Sequence, residues 1–117
     1  MLPATKMIKN SQGNVFITGR DQEKLKKVAK ESEIPDDQVF TMEVTDPESV
    51  QKVADQIHSK VDQIDILVNA AGVGYLKKFE KIEYEQMSRM IDINLKGAFL
   101  VMQAFLPPMK ESKKGMI

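Results

Sequence analysis

Asn69-Ala70-Ala71-Gly72 closes one apolar run, and Asn94 interrupts another, Ile91-Asp92-Ile93-Asn94-Leu95-Lys96-Gly97. Small side chains let a backbone come close to a flat ligand, and a glycine permits a turn that a Cβ would obstruct. An Asn amide at such a turn can tie down loop carbonyls. Asn94 falls on an apolar helical stripe, where a buried amide needs hydrogen-bond partners. Gly19-Arg20 ends a third apolar run. A guanidinium there either grips phosphate through paired, charge-assisted hydrogen bonds, worth about 1.5–3 kcal/mol, or lies solvated after a turn. Glu43-Val44 ends a fourth run, where the carboxylate either accepts a ligand hydrogen bond or faces solvent. Gly72-Val73-Gly74 lacks the third glycine of a phosphate loop. His58, the single histidine, stands beside Ser59 and Lys60 near an expected helix end and is assigned to the surface.

The elements that must position these residues alternate between short apolar runs and helical periodicity, the mark of repeated βα units on a parallel sheet. Residues 14–18, Asn-Val-Phe-Ile-Thr, read as a strand stopping at Gly19. Asp21 is placed to cap a helix with Leu25, Val28 and Ala29 on one face, ending before Pro35. Residues 39–44 read as a second strand. Thr45-Asp46-Pro47-Glu48 then offers a capping side chain, a first-turn proline and an early acid. Val50, Val53, Ala54 and Ile57 follow at helical spacing and predict one buried stripe.

Residues 64–69 predict a third strand, apolar after Asp65 and hence covered on both faces. From Tyr84 a long helical pattern puts Met87, Met90, Ile91, Asn94, Leu95, Ala98 and Met102 on one side and runs toward Pro107-Pro108. Gly115-Met116-Ile117 reads as the opening of a fourth strand. Residues 1–12 fit no element well, although Met7-Ile8-Lys9 suits the tail of a helix.

Composition narrows the function classes. The chain has 117 residues, 42% hydrophobic and 29% charged, which predicts a globular fold with a core. Seventeen basic residues balance seventeen acidic ones, so no net field favours nucleic acid or an anionic membrane. The absence of Cys rules out disulfides and thiolate chemistry and suits a reducing compartment. No uncharged stretch approaches the roughly 18 residues of a membrane span, and the expectation is a cytoplasmic protein.

The runs around Asn69 and Asn94 together resemble the middle of the short-chain dehydrogenase/reductase family, and the resemblance extends from about Gly13 to the last residue. It implies an α/β fold: a partial Rossmann-type, doubly wound parallel sheet with flanking helices. By that resemblance Asn69, Ala70, Ala71 and Gly72 lie beside a nicotinamide cofactor, and Asn94 supports a proton relay. Glu43 meets the adenine amino group where the family commonly has Asp, and the Val44 backbone packs nearby. Gly19 takes the place of the acid that would bond a ribose 2′-hydroxyl, and Arg20 follows it, which implies NADP(H) in preference to NAD(H).

The family's glycine-rich first turn would precede residue 1, and its Tyr-x-x-x-Lys would follow residue 117. Tyr75 has Phe79 four residues on and Tyr84 has Ser88, so neither begins that motif. The expectation is a single incomplete Rossmann-type segment over 1–117, family-like from 13. It belongs to an oxidoreductase acting on a small carbonyl or alcohol, and the chain alone is inactive and binds dinucleotide weakly at best. Its open strand edges imply a rearranged three-strand sheet or a partner-stabilised one. The alternative is a non-catalytic module that dimerises or binds a relative through the 84–106 helix; a third reading is an incomplete gene product without activity. Met-rich residues on that helix imply a homo-oligomer surface.

Overall fold

The computed structural model describes residues 13–117, so the helix tail expected at Met7-Ile8-Lys9 lies outside the described residues. The chain divides into two compact units, one ending at Glu43 and one running from Val44 to Ile117.

In the first unit, β1 (Ile17–Gly19) pairs in parallel with β2 (Val39–Thr41), Ile17 opposite Val39 and Gly19 opposite Thr41. Between them α1 (Gln22–Glu31) starts where Asp21 accepts the Glu23 and Lys24 backbone N–H groups at 3.0 and 3.2 Å. Its Leu25 and Ala29 are buried with Val15, Ile17 and Ile34, and Val28 and Val39 pack against them. This is the expected βαβ unit. Both strands are shorter than the apolar runs 14–18 and 39–44, because a ladder exists only where both partners run side by side. Val15 keeps its place in the core without pairing.

In the second unit, α2 (Pro47–His58) begins with Asp46 accepting the Glu48 N–H at 3.0 Å and with Pro47 in the first turn. Val50, Val53, Ala54 and Ile57 are all buried, as their spacing predicts. Each of the larger ones contributes about 1.5–3 kcal/mol by leaving water. They face a long helical rod made of α3 (Tyr84–Met90), a π-helical turn (Ile91–Gly97) and α4 (Ala98–Ser112), with α2 packed on α4.

Four expectations are corrected here. Residues 64–69 form no full strand: Ile66 makes a single parallel bridge to Met116, closed by Leu67 N–H to the Met116 carbonyl and Met116 N–H to the Asp65 carbonyl. Nor is that run covered on both faces, since Ile66 and Val68 are 54% and 55% exposed. The expected three-strand sheet is, among the described residues, a two-strand ladder and this bridge. The bridge does bear out Gly115-Met116-Ile117 as a strand opening.

The third correction concerns the rod. Its buried residues are Ile93, Gly97, Val101, Phe105 and Met109. Met87, Ile91, Leu95 and Asn94, expected on the inner stripe, are exposed. The wider π turn rotates the stretch before it relative to an unbroken α-helix. The helix also passes through Pro107 and Pro108 to Ser112, with Met109 buried beyond them.

The fourth correction is His58. It is half-buried, its ring edge-on to Phe105 with centroids 5.3 Å apart, and its Nε2 is closed off from solvent without a hydrogen-bond partner. It ends α2 on the side that packs against α4, and the ring therefore serves as a packing surface.

Candidate functional site

Within the first unit, the parallel register brings the carboxyl ends of β1 and β2 together. Met42 N–H donates to the Gly19 carbonyl at 2.9 Å, one residue past the ladder. Arg20 and Glu43 therefore leave the same sheet edge, the edge at which open α/β sheets take up ligands. Arg20 is exposed and is followed at once by the Asp21 cap; Glu43 is half-buried. The sequence placed these two on successive strands, and their adjacency follows from the parallel pairing.

Within the second unit, one stretch of the rod, residues 94–98, touches the other sequence-predicted residues. The Asn94 amide grips the Val73 backbone at two points. Val73 N–H donates to Asn94 Oδ1 at 2.8 Å, and Asn94 Nδ2 donates to the Val73 carbonyl at 2.8 Å. Asn69 Nδ2 donates to the Ala98 carbonyl at 3.1 Å. Both asparagines are thus satisfied by backbone, as an amide at a turn requires.

Gly72 sits under the first of these contacts. A Cβ there would lie 3.1 Å from Asn94 Oδ1, a tight contact that glycine spares the amide. Ala70, Ala71 and Gly72 are all exposed, and they present a patch of backbone with almost no side chain over it. A flat ring can approach such a surface closely.

Val44 is the remaining predicted residue. It is buried and lies against Gly97 of the π turn. Three residues important to this arrangement were not identified from sequence: Val73 and Ala98, which act through backbone atoms, and Gly97. Only Gly97 carried a signal, since a glycine inside an apolar helical run is unfavourable for the helix and calls for a packing reason. Among the described residues no cluster of His, Asp or Glu is arranged to hold a metal ion, and no helix is long and apolar enough to cross a membrane.

Comparison with known proteins identifies the family. The family model for short chain dehydrogenases matches residues 3–117. An uncharacterised oxidoreductase of Staphylococcus saprophyticus is 35% identical over 113 residues, covering 92% of this chain and 47% of the relative. A short chain dehydrogenase from Bacillus anthracis superposes with a TM-score of 0.84 at 30% identity, covering 96% of this chain and 48% of that one. A metagenomic short-chain oxidoreductase in complex with NADP superposes with a TM-score of 0.79 at 28% identity, covering 97% of this chain and 52% of that one. The chain spans about half the length of these relatives. Its α/β architecture is that of Rossmann-type dehydrogenases, and the chain belongs to the short-chain dehydrogenase/reductase family.

Proposed function

We propose that this chain is a segment of an NADP(H)-dependent oxidoreductase acting on a small carbonyl or alcohol. The family model runs as one span over residues 3–117, which supports reading the two units as consecutive parts of one Rossmann-type segment. The observation that carries the cofactor preference is Arg20, exposed at the end of β1 where an acid would repel a 2′-phosphate, with Glu43 leaving the same edge. The metagenomic relative bound to NADP supports the same reading.

Within each unit, the residue types suit the part of a dinucleotide that this reading assigns to them. Arg20 would hold the 2′-phosphate and Glu43 would accept a hydrogen bond from the adenine amino group, with Val44 beside the adenine. The bare backbone of Asn69, Ala70, Ala71 and Gly72 would lie against the nicotinamide ring. When bound, the cofactor supplies or accepts a hydride. Asn94 is a positioning residue in this reading: its two bonds hold Val73 and thereby the turn that the ring rests on, beside a proton relay. Neither Tyr75 nor Tyr84 has a Lys four residues on, so the chain by itself turns over no carbonyl substrate. Steady NADPH oxidation by the purified chain would contradict this.

The test of the cofactor assignment is an NMR titration of the labelled chain with NADP+ and with NAD+. NADP+ binds more tightly by about tenfold or more, the worth of one charged phosphate contact, and Arg20→Gln removes the difference. Equal or tighter binding of NAD+ by the unsubstituted chain would overturn the assignment.

The rod also carries a surface for self-association. Leu95 and Phe99 are 67% and 59% exposed. They border an open, mostly apolar hollow of about 600 Å³, with Thr45 and Pro47 on its far wall. Apolar area of this kind on a helix supports the reading that a second copy packs against the 84–106 helix.

A further inference from the structure

We propose that Gly97 is a positioning residue for the adenosine half of the site, setting how close the backbone at Val44 comes to the rod. This rests on the reading above that Val44 packs beside adenine. A Cβ built on Gly97 would lie 2.8 Å from Val44 Cγ2, 3.0 Å from Val44 Cβ and 3.4 Å from the Val44 carbonyl oxygen. Contacts this short require something to move.

Neither side yields easily. Val44 is buried, and its β-branched side chain has little rotamer freedom. Two residues further on, Asp46 caps α2, whose stripe is locked into the core. On the other side, Gly97 lies between the two anchored positions of the rod. Asn94 is bound twice to Val73, and the Ala98 carbonyl accepts from Asn69. An added methyl must therefore displace the Val44 backbone and leave the nicotinamide-side turn where it is. Ligand contacts are sensitive to sub-ångström placement, so a displaced Val44 backbone weakens adenine binding.

One glycine thus fixes the adenosine-side wall while Asn94, three residues earlier, fixes the nicotinamide-side wall. The π turn holds both at one spacing. That accounts for a residue of poor helix propensity in the middle of a long helix.

The experiment is an NMR titration of the labelled chain with adenosine 2′,5′-bisphosphate, following the Val44, Thr45 and Val73 amides. Gly97→Ala weakens binding by about fivefold or more, shifts the Val44 and Thr45 amide signals before ligand is added and leaves the Val73 amide in place. Val44→Ala in the Gly97→Ala background removes the shortest contact, that with Cγ2, while Cβ stays at 3.0 Å, and so restores part of the lost affinity. Val44→Ile, which grows into the same gap from the strand side, weakens binding as Gly97→Ala does and serves where Gly97→Ala fails to fold. Unchanged affinity in the folded variant, a displaced Val73 amide, or no rescue by Val44→Ala overturns the inference. Failure of the unsubstituted chain to bind the bisphosphate at millimolar concentration overturns the adenosine reading itself, and this inference with it, before any substitution is made.

Discussion

Replacing Asn94 tests whether the amide clamp is what holds the turn after residue 71. The side chain makes one accepting and one donating bond to Val73, both 2.8 Å long. A protein hydrogen bond contributes about 0.5–1.5 kcal/mol net. Asn94 is exposed, so water replaces part of what is lost and the lower half of that range applies. Asn94→Ala removes both bonds and costs about 1–2 kcal/mol. Asn94→Asp keeps the shape and still accepts from Val73 N–H, but turns a second oxygen toward the Val73 carbonyl, so it costs about 1 kcal/mol. With a urea slope of about 1–2 kcal/mol/M, the Asn94→Ala midpoint falls by roughly 1 M. The sharper readout is hydrogen exchange at the Val73 amide. Its protection drops about tenfold in Asn94→Ala, one decade per 1.4 kcal/mol, and is largely kept in Asn94→Asp. Unchanged exchange at Val73 in Asn94→Ala would refute the clamp. Equal loss in both variants would show that the amide oxygen is not the acceptor that matters.

Two further outcomes follow from the second unit. Asp46→Ala removes the N-cap bond to Glu48 N–H and lowers stability by about 1 kcal/mol, read as a urea midpoint, while Asp46→Asn stays within a few tenths. Leu95→Glu together with Phe99→Glu places charge on the exposed face of the rod and shifts the chain toward monomer in sedimentation equilibrium while its circular dichroism stays that of the folded chain; an unchanged association constant would exclude that face as the contact.

The parts of the fold legible in the sequence are those decided locally. Asp21 and Asp46 each cap a helix because a side-chain oxygen can reach an N–H two or three residues on, and that geometry needs no tertiary partner. The stripe Val50, Val53, Ala54 and Ile57 was legible for the same reason. Strand extent was not, since a ladder depends on what runs alongside: residues 64–69 have the composition of a strand and make one bridge. His58 was misplaced because its neighbour, Phe105, lies 47 positions away in sequence. At the site, the types of Asn69 and Asn94 pointed to backbone-binding amides, but their partners are backbone atoms, which carry no side-chain signature. Gly97 was legible in principle, as a poor helix former where the pattern demands a good one.

The phase of the rod shows why Asn94 could be identified and yet put on the wrong face. Ile93, Gly97, Val101, Phe105 and Met109 are buried at intervals of four. In an unbroken α-helix of about 3.6 residues per turn, each such step advances about 40°, and four steps wind the stripe about 160° around the axis. An α-helical phase would instead set Asn94 on the face shared by Val101 and Phe105, seven and eleven residues on, and bury its amide in an apolar core. The wider turn over Ile91–Gly97 takes out rotation at that point. Ile93 then fills the inner position, and Asn94 moves to the rim, where the Val73 backbone is within reach. A π turn is a costly irregularity that recurs at functional sites, and here it converts what would be a buried, unpaired amide into the clamp on the Val73 turn.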